Sequence, residues 1–65
     1  MIREEYRRAK HELKSGDRMY LQTKEGLEKF NCQIWKIEKD HITFTDGSSF
    51  HYKEVYSMTH CEGLV

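Results

Sequence analysis

The residues able to do chemistry in this chain fall into three sets. The first is a row of cations near the start: Arg3, Arg7, Arg8, Lys10, Lys14 and Arg18. The second is the run His51-Tyr52-Lys53, an imidazole, a phenol and an ammonium in succession. The third holds the metal-ligating and nucleophilic types, His11, His41, His51, His60, Cys32 and Cys61. Cations interleaved with aromatics suit nucleic acid, where lysine and arginine meet phosphates and flat rings stack on bases. Under a nucleic-acid reading Arg7, Arg8 and Lys10 would guide a phosphate backbone, and His51, Tyr52 and Lys53 would contact bases or phosphates. The basic helix could equally meet an acidic partner surface, and the simpler expectation is a solvated helix face, with Tyr52 in the core beside Phe50 and His51 and Lys53 solvated. The third set offers no C-x-x-C and no H-x-x-x-H spacing, so no metal and no cofactor is expected. Nor does it offer a nucleophile with a base and an orienting group in reach, so no catalytic residue is assigned. Trp35, with Tyr20 and Tyr56, is the candidate anchor of a protein interface. Packing of Trp35 beneath the N-terminal segment, against Tyr6 or Leu13, is the simpler expectation, because so small a core needs a large aromatic.

The elements that must position these residues fit into one short domain. The chain has 65 residues, 34% of them charged and 37% hydrophobic. A domain of this size buries only about 60% of its unfolded surface, so its core is marginal. Lysine plus arginine equals aspartate plus glutamate at 11 each. The balance hides a separation. Residues 1–18 carry six basic and four acidic side chains, whereas residues 37–65 carry two basic and five acidic. Opposite charge at the two ends favours head-to-tail self-association, so a homo-oligomer is expected. No apolar run approaches a membrane span, and the charged opening MIREEYRRAK has no secretory character. Two cysteines do not make a disulfide framework. A cytoplasmic protein with free thiols and no membrane partner is the expectation.

Ile2, Tyr6, Ala9 and Leu13 share one face of a helix, expected over 2–15 and stopped at Ser15-Gly16. Alternation then replaces the helical period. Met19 and Leu21 alternate within Arg18–Thr23, and Lys24-Glu25-Gly26 turns the chain. A long second strand runs from about Leu27 to Glu38. Phe30, Cys32 and Ile34 share one parity in it, and Trp35 and Ile37 take the other. Such a flip calls for a bulge or sharp bend. His41–Thr45 and Ser49–Lys53 flank Asp46-Gly47, the strongest hairpin signal present. Val55–Thr59 makes the fifth strand, and residues 60–65 read as a tail. The expected fold is mainly β: a helix, then a five-stranded, strongly bent antiparallel small barrel over 17–59.

This pattern resembles the Sm-like and SH3-like small barrels, whose bacterial Sm-like members include a ring-forming RNA chaperone and an inhibitor of the Rho terminator. Met19-Tyr20-Leu21, Gly26 and Phe30-Asn31-Cys32-Gln33-Ile34 look like the first Sm motif. Ile42–Phe44, Asp46-Gly47 and Tyr52–Met58 look like the second. Tyr52-Lys53 is similar to the chaperone's Tyr-Lys-His element, with Glu54 in place of the histidine. Cys32 stands where the second strand normally carries a bend glycine. The resemblance implies an RNA-binding homo-oligomeric regulator. It also implies alternatives: a protein-binding adaptor or inhibitor of the kind carried by mobile elements, or an oligomer that sequesters a nucleotide.

Overall fold

The computed structural model describes residues 1–61. Helix α1 spans Arg3–Glu12. Strands β1 (Arg18–Thr23), β2 (Glu28–Ile37), β3 (His41–Phe44), β4 (Ser49–His51) and β5 (Val55–His60) follow, with a single 3-10 turn at Tyr52–Glu54 between the last two. The five strands form one antiparallel sheet in the order β4-β3-β2-β1-β5.

The helix forms for the reasons its sequence gives. Glu4 and Glu5 lie in the first turn and Lys10 and His11 in the last, each complementing the helix dipole. Glu5 also accepts the Ile2 N–H at 3.2 Å. The helix stops earlier than its sequence suggests, because Leu13 leaves helical geometry (φ −110°, ψ 146°) and enters the core at 8% exposure. Burying a leucine is worth about 1.5–3 kcal/mol, more than one further helical residue gives. Gly16, at φ +94°, therefore serves a separate tight turn, in which the Asp17 N–H donates to the Lys14 carbonyl at 3.0 Å.

The core lies on one face of the bent sheet: Met19 and Leu21 from β1, Ile34 from β2, Ile42 and Phe44 from β3, Phe50 from β4 and Val55 from β5, with Leu13. The bend of β2 resolves into two bulges. Opposite Tyr20, the register jumps from Met19↔Cys32 to Leu21↔Lys29, so Phe30 and Asn31 face one residue. Asn31 takes φ 50°, the left-handed geometry that asparagine tolerates better than most residues. The inward parity of Cys32 and Ile34 therefore does not extend to Phe30. That side chain is 69% exposed and lies against Tyr20, ring centroids 5.1 Å apart, which corrects the expectation that Phe30 shares one parity with Cys32 and Ile34. The second shift falls between Ile34↔Phe44 and Lys36↔Thr43, leaving Trp35 as the extra residue.

Three further expectations are corrected or bounded. β4 and β5 stand at opposite ends of the strand order with no ladder between them, so the described residues form an open, bent sheet, not a closed barrel. Residues 52–54 coil into the 3-10 turn instead of continuing β4, because Tyr52 turns its ring onto Tyr6, 5.7 Å away. The fifth strand reaches His60, and the Cys61 N–H donates to the Arg18 carbonyl at 3.0 Å; residues 62–65 of the expected tail lie outside the described residues.

The Asp46-Gly47 hairpin forms as its sequence signals, with Gly47 at φ +92°. Asp46 accepts from Lys29 Nζ at 2.7 Å and from the Ser48 backbone and hydroxyl at 2.9 and 2.6 Å. The lysine contact first, then the Ser48 hydrogen bonds, hold its carboxyl well below the usual range. A depressed acid stabilises the fold above its unfolded pKa of about 4 and loses that contribution as pH falls through the lower folded value. Urea midpoints should therefore fall below about pH 4, and Asp46→Asn should flatten that fall. An identical acid limb in the variant would contradict this assignment.

Candidate nucleic-acid interface

One buried phenol builds the principal site. Tyr6 lies on the inner face of α1 with no exposed surface. Its hydroxyl lies 2.8 Å from the carbonyl oxygens of both Glu38 and His41 and shares its one proton between them. Those carbonyls bracket the turn from β2 to β3, so the turn is held against the helix. Lys39 sits in that turn.

Arg3, Arg7 and Lys10 recur at four and three residues along α1, which places them on one stripe of the helix. With Lys39 they line a cavity of about 500 Å³ that has no other lining residue among the described residues. None of the four makes an ion pair among the described residues. Four like charges around one hollow repel one another, and an anion placed among them would relieve that repulsion. Lys10 and Lys39 also line an adjoining shallow groove of about 590 Å³, whose wall includes Leu13, Ile37 and Trp35. Its acid, Glu38, is paired with Lys36 at 3.0 Å. Trp35 is 61% exposed. It does not pack beneath α1 as expected, because the bulge lets Ile34 stay inside while Trp35 turns outward. The Ser15 hydroxyl donates to its carbonyl at 2.6 Å and fixes the backbone there.

Comparison of the chain with protein-family models, curated proteins and solved structures returns no match. The residues alone carry the functional reading.

The other expected site residues are distributed differently. Arg8 is exposed on α1 but does not line the cavity. The Tyr52 ring already meets Tyr6 and also His51, at 4.6 Å, so it is not a free platform for a base. His51 Nδ1 accepts the Lys53 N–H at 3.1 Å, which puts the neutral ring's proton on Nε2. That nitrogen lies 4.0 Å from an Asp40 oxygen. Hydrogen bonding to His41 lowers the Asp40 carboxyl, so a carboxylate stands beside the imidazole where a phosphate would need to approach. Lys53 faces a separate cavity of about 300 Å³ together with Lys24, Glu25 and Glu54. Tyr20 is half-buried against Phe30 and Tyr56 is 66% exposed on β5. No ring contact joins Trp35 to either of them among the described residues.

Lys39 is the member that sequence reasoning passed over, because Lys39-Asp40 reads as a turn and nothing local ties it to the helix. The spacing of Arg3, Arg7 and Lys10 was a usable signal. No cluster of three or more His, Cys, Asp or Glu able to hold a metal occurs among the described residues. Burial raises the Cys32 thiol, which keeps it protonated and a poor nucleophile. No helix among the described residues is long and apolar enough to cross a membrane.

Proposed function

We propose that this chain is a non-enzymatic binding module for single-stranded nucleic acid, RNA first, acting as a homo-oligomer on an Sm-like or SH3-like framework. The observation that carries the reading is the hollow lined by Arg3, Arg7, Lys10 and Lys39, four cations unpaired among the described residues, beside an exposed tryptophan. A zero net charge does not oppose it, because binding depends on the local field of a patch and not on the total. The N-terminal helix, five antiparallel strands and bent second strand support the Sm-like framework. Two unpaired sheet edges among the described residues, β4 and β5, support self-association, since each presents backbone donors and acceptors to another strand. The adaptor reading has less support, because Trp35, Tyr20 and Tyr56 do not meet in one aromatic cluster.

The test is anisotropy of a labelled single-stranded oligoribonucleotide titrated with the full chain at about 50 mM salt, alongside light scattering. Saturable binding by a species larger than one chain is expected. Absence of any anisotropy change at that salt would overturn the nucleic-acid reading, and a monomer at all concentrations would overturn the oligomer.

A further inference from the structure

The basic hollow and the Trp35 groove share Lys10 and Lys39 in their walls, so they adjoin there, and this depression is the pair of them taken together. We infer that this depression seats a nucleotide unit of a single strand in two parts, its base on the Trp35 indole and its phosphates among Lys10, Lys39 and Arg7. The inference rests on the nucleic-acid reading above and adds what that site recognises: a base and a phosphate together, not negative charge alone.

Three observations converge on it. The chain has one tryptophan and a small core, yet leaves that indole 61% exposed. The exposure is built in. Trp35 is the bulged residue of β2, its neighbour Ile34 is 1% exposed, and its carbonyl is tied to Ser15. An outward-facing indole with only two side-chain torsions, carried on a tied backbone, loses little freedom when a base stacks on it. Finally, three lysines line the Trp35 groove: Lys36 is paired with Glu38, and the other two, Lys10 and Lys39, also line the hollow. A ring ligand on Trp35 must therefore carry its charge toward them. Duplex bases are stacked inside their helix and present no face to the indole, so single strands are selected. An acidic protein segment would satisfy the cations but offers no repeating flat ring.

Because Trp35 is the only tryptophan, its own fluorescence reports the site. The full chain is titrated with a short single-stranded oligoribonucleotide, with the same strand annealed to its complement, and with inorganic tripolyphosphate. The single strand should quench Trp35 with the midpoint seen by anisotropy. The duplex should bind more weakly, and tripolyphosphate should compete without comparable quenching. Trp35→Ala should lose about tenfold to a hundredfold in single-strand affinity, the range one stacked base contributes. Tripolyphosphate affinity should not move, and Trp35→Phe should recover part of the loss. Unchanged strand binding by Trp35→Ala, or equal quenching by tripolyphosphate, would overturn the stacking assignment and leave the nucleic-acid reading intact. No binding of any strand would overturn both.

Discussion

Tyr6→Ala should leave the chain unfolded in water at about 25 °C, while Tyr6→Phe should fold with a loosened site. Tyr6 has no exposed surface and stacks on Tyr52. Truncating a buried aromatic costs about 3–5 kcal/mol. A core of this size supplies roughly 3–5 kcal/mol in total, so the alanine variant has nothing left to hold it. The phenylalanine variant keeps the ring and loses only the donor. The His41 carbonyl retains the Glu38 N–H at 2.8 Å, whereas the Glu38 carbonyl loses the hydroxyl that faces it. That loss costs about 1–2 kcal/mol.

The pH dependence separates ring from hydroxyl. Burial first, then the nearby charges of Asp40 and Glu38, push the Tyr6 phenol up to about 12. A raised acid favours its neutral form in the fold. Its contribution is present below the unfolded pKa near 10 and is lost as pH rises from there through about 12. Deprotonation also removes the proton donated to Glu38 and His41, freeing the turn that carries Lys39. Urea melts from neutral pH upward should show the wild type losing stability above about pH 10 more steeply than Tyr6→Phe. Parallel curves would show that the hydroxyl does not secure the turn.

This dependence explains where the sequence was readable and where it was not. The alternations Met19/Leu21 and Ile42/Phe44, and the turn at Asp46-Gly47, are local, and each forms as its pattern indicates. The parity flip in β2 signalled a bulge, but not where it fell. Simple alternation gives Phe30 the parity of Ile34, but the bulge with its left-handed residue, Asn31, reverses every assignment beyond it. The same uncertainty reversed the expectation for Trp35. His51-Tyr52-Lys53 looked like strand because it continues an alternation. Its true geometry follows from Tyr52 meeting Tyr6, 46 residues earlier in the chain. Lys39 joins α1 through a hydrogen bond from Tyr6 that spans 32 residues, and no local pattern encodes such a contact. The candidate site was thus half legible: its helical stripe is periodic, but its closing residue and its tryptophan are placed by tertiary contacts.

Reversing charge in the hollow should have the largest effect on binding. Four phosphate contacts to a single strand give a log–log salt slope of about −3, a fall of about 50-fold in affinity from roughly 50 to 200 mM salt. Arg7→Glu with Lys39→Glu removes two contacts and adds two repulsions, so affinity at the lower salt should drop about a hundredfold and the slope should flatten. Folding should survive, since both side chains are exposed and unpaired among the described residues, and such changes usually stay within about 0.5 kcal/mol. The carboxylate introduced by Arg7→Glu would also stand one turn from Arg3, where it gains a partner. Arg8→Glu supplies the comparison. It changes the charge of the same helix equally but lies off the hollow, so it should weaken binding far less than Arg7→Glu alone. Equal losses in the two single variants would mean that the strand follows the diffuse charge of α1. A loss concentrated at Arg7 and Lys39 would mean that it enters the depression that Tyr6 holds together.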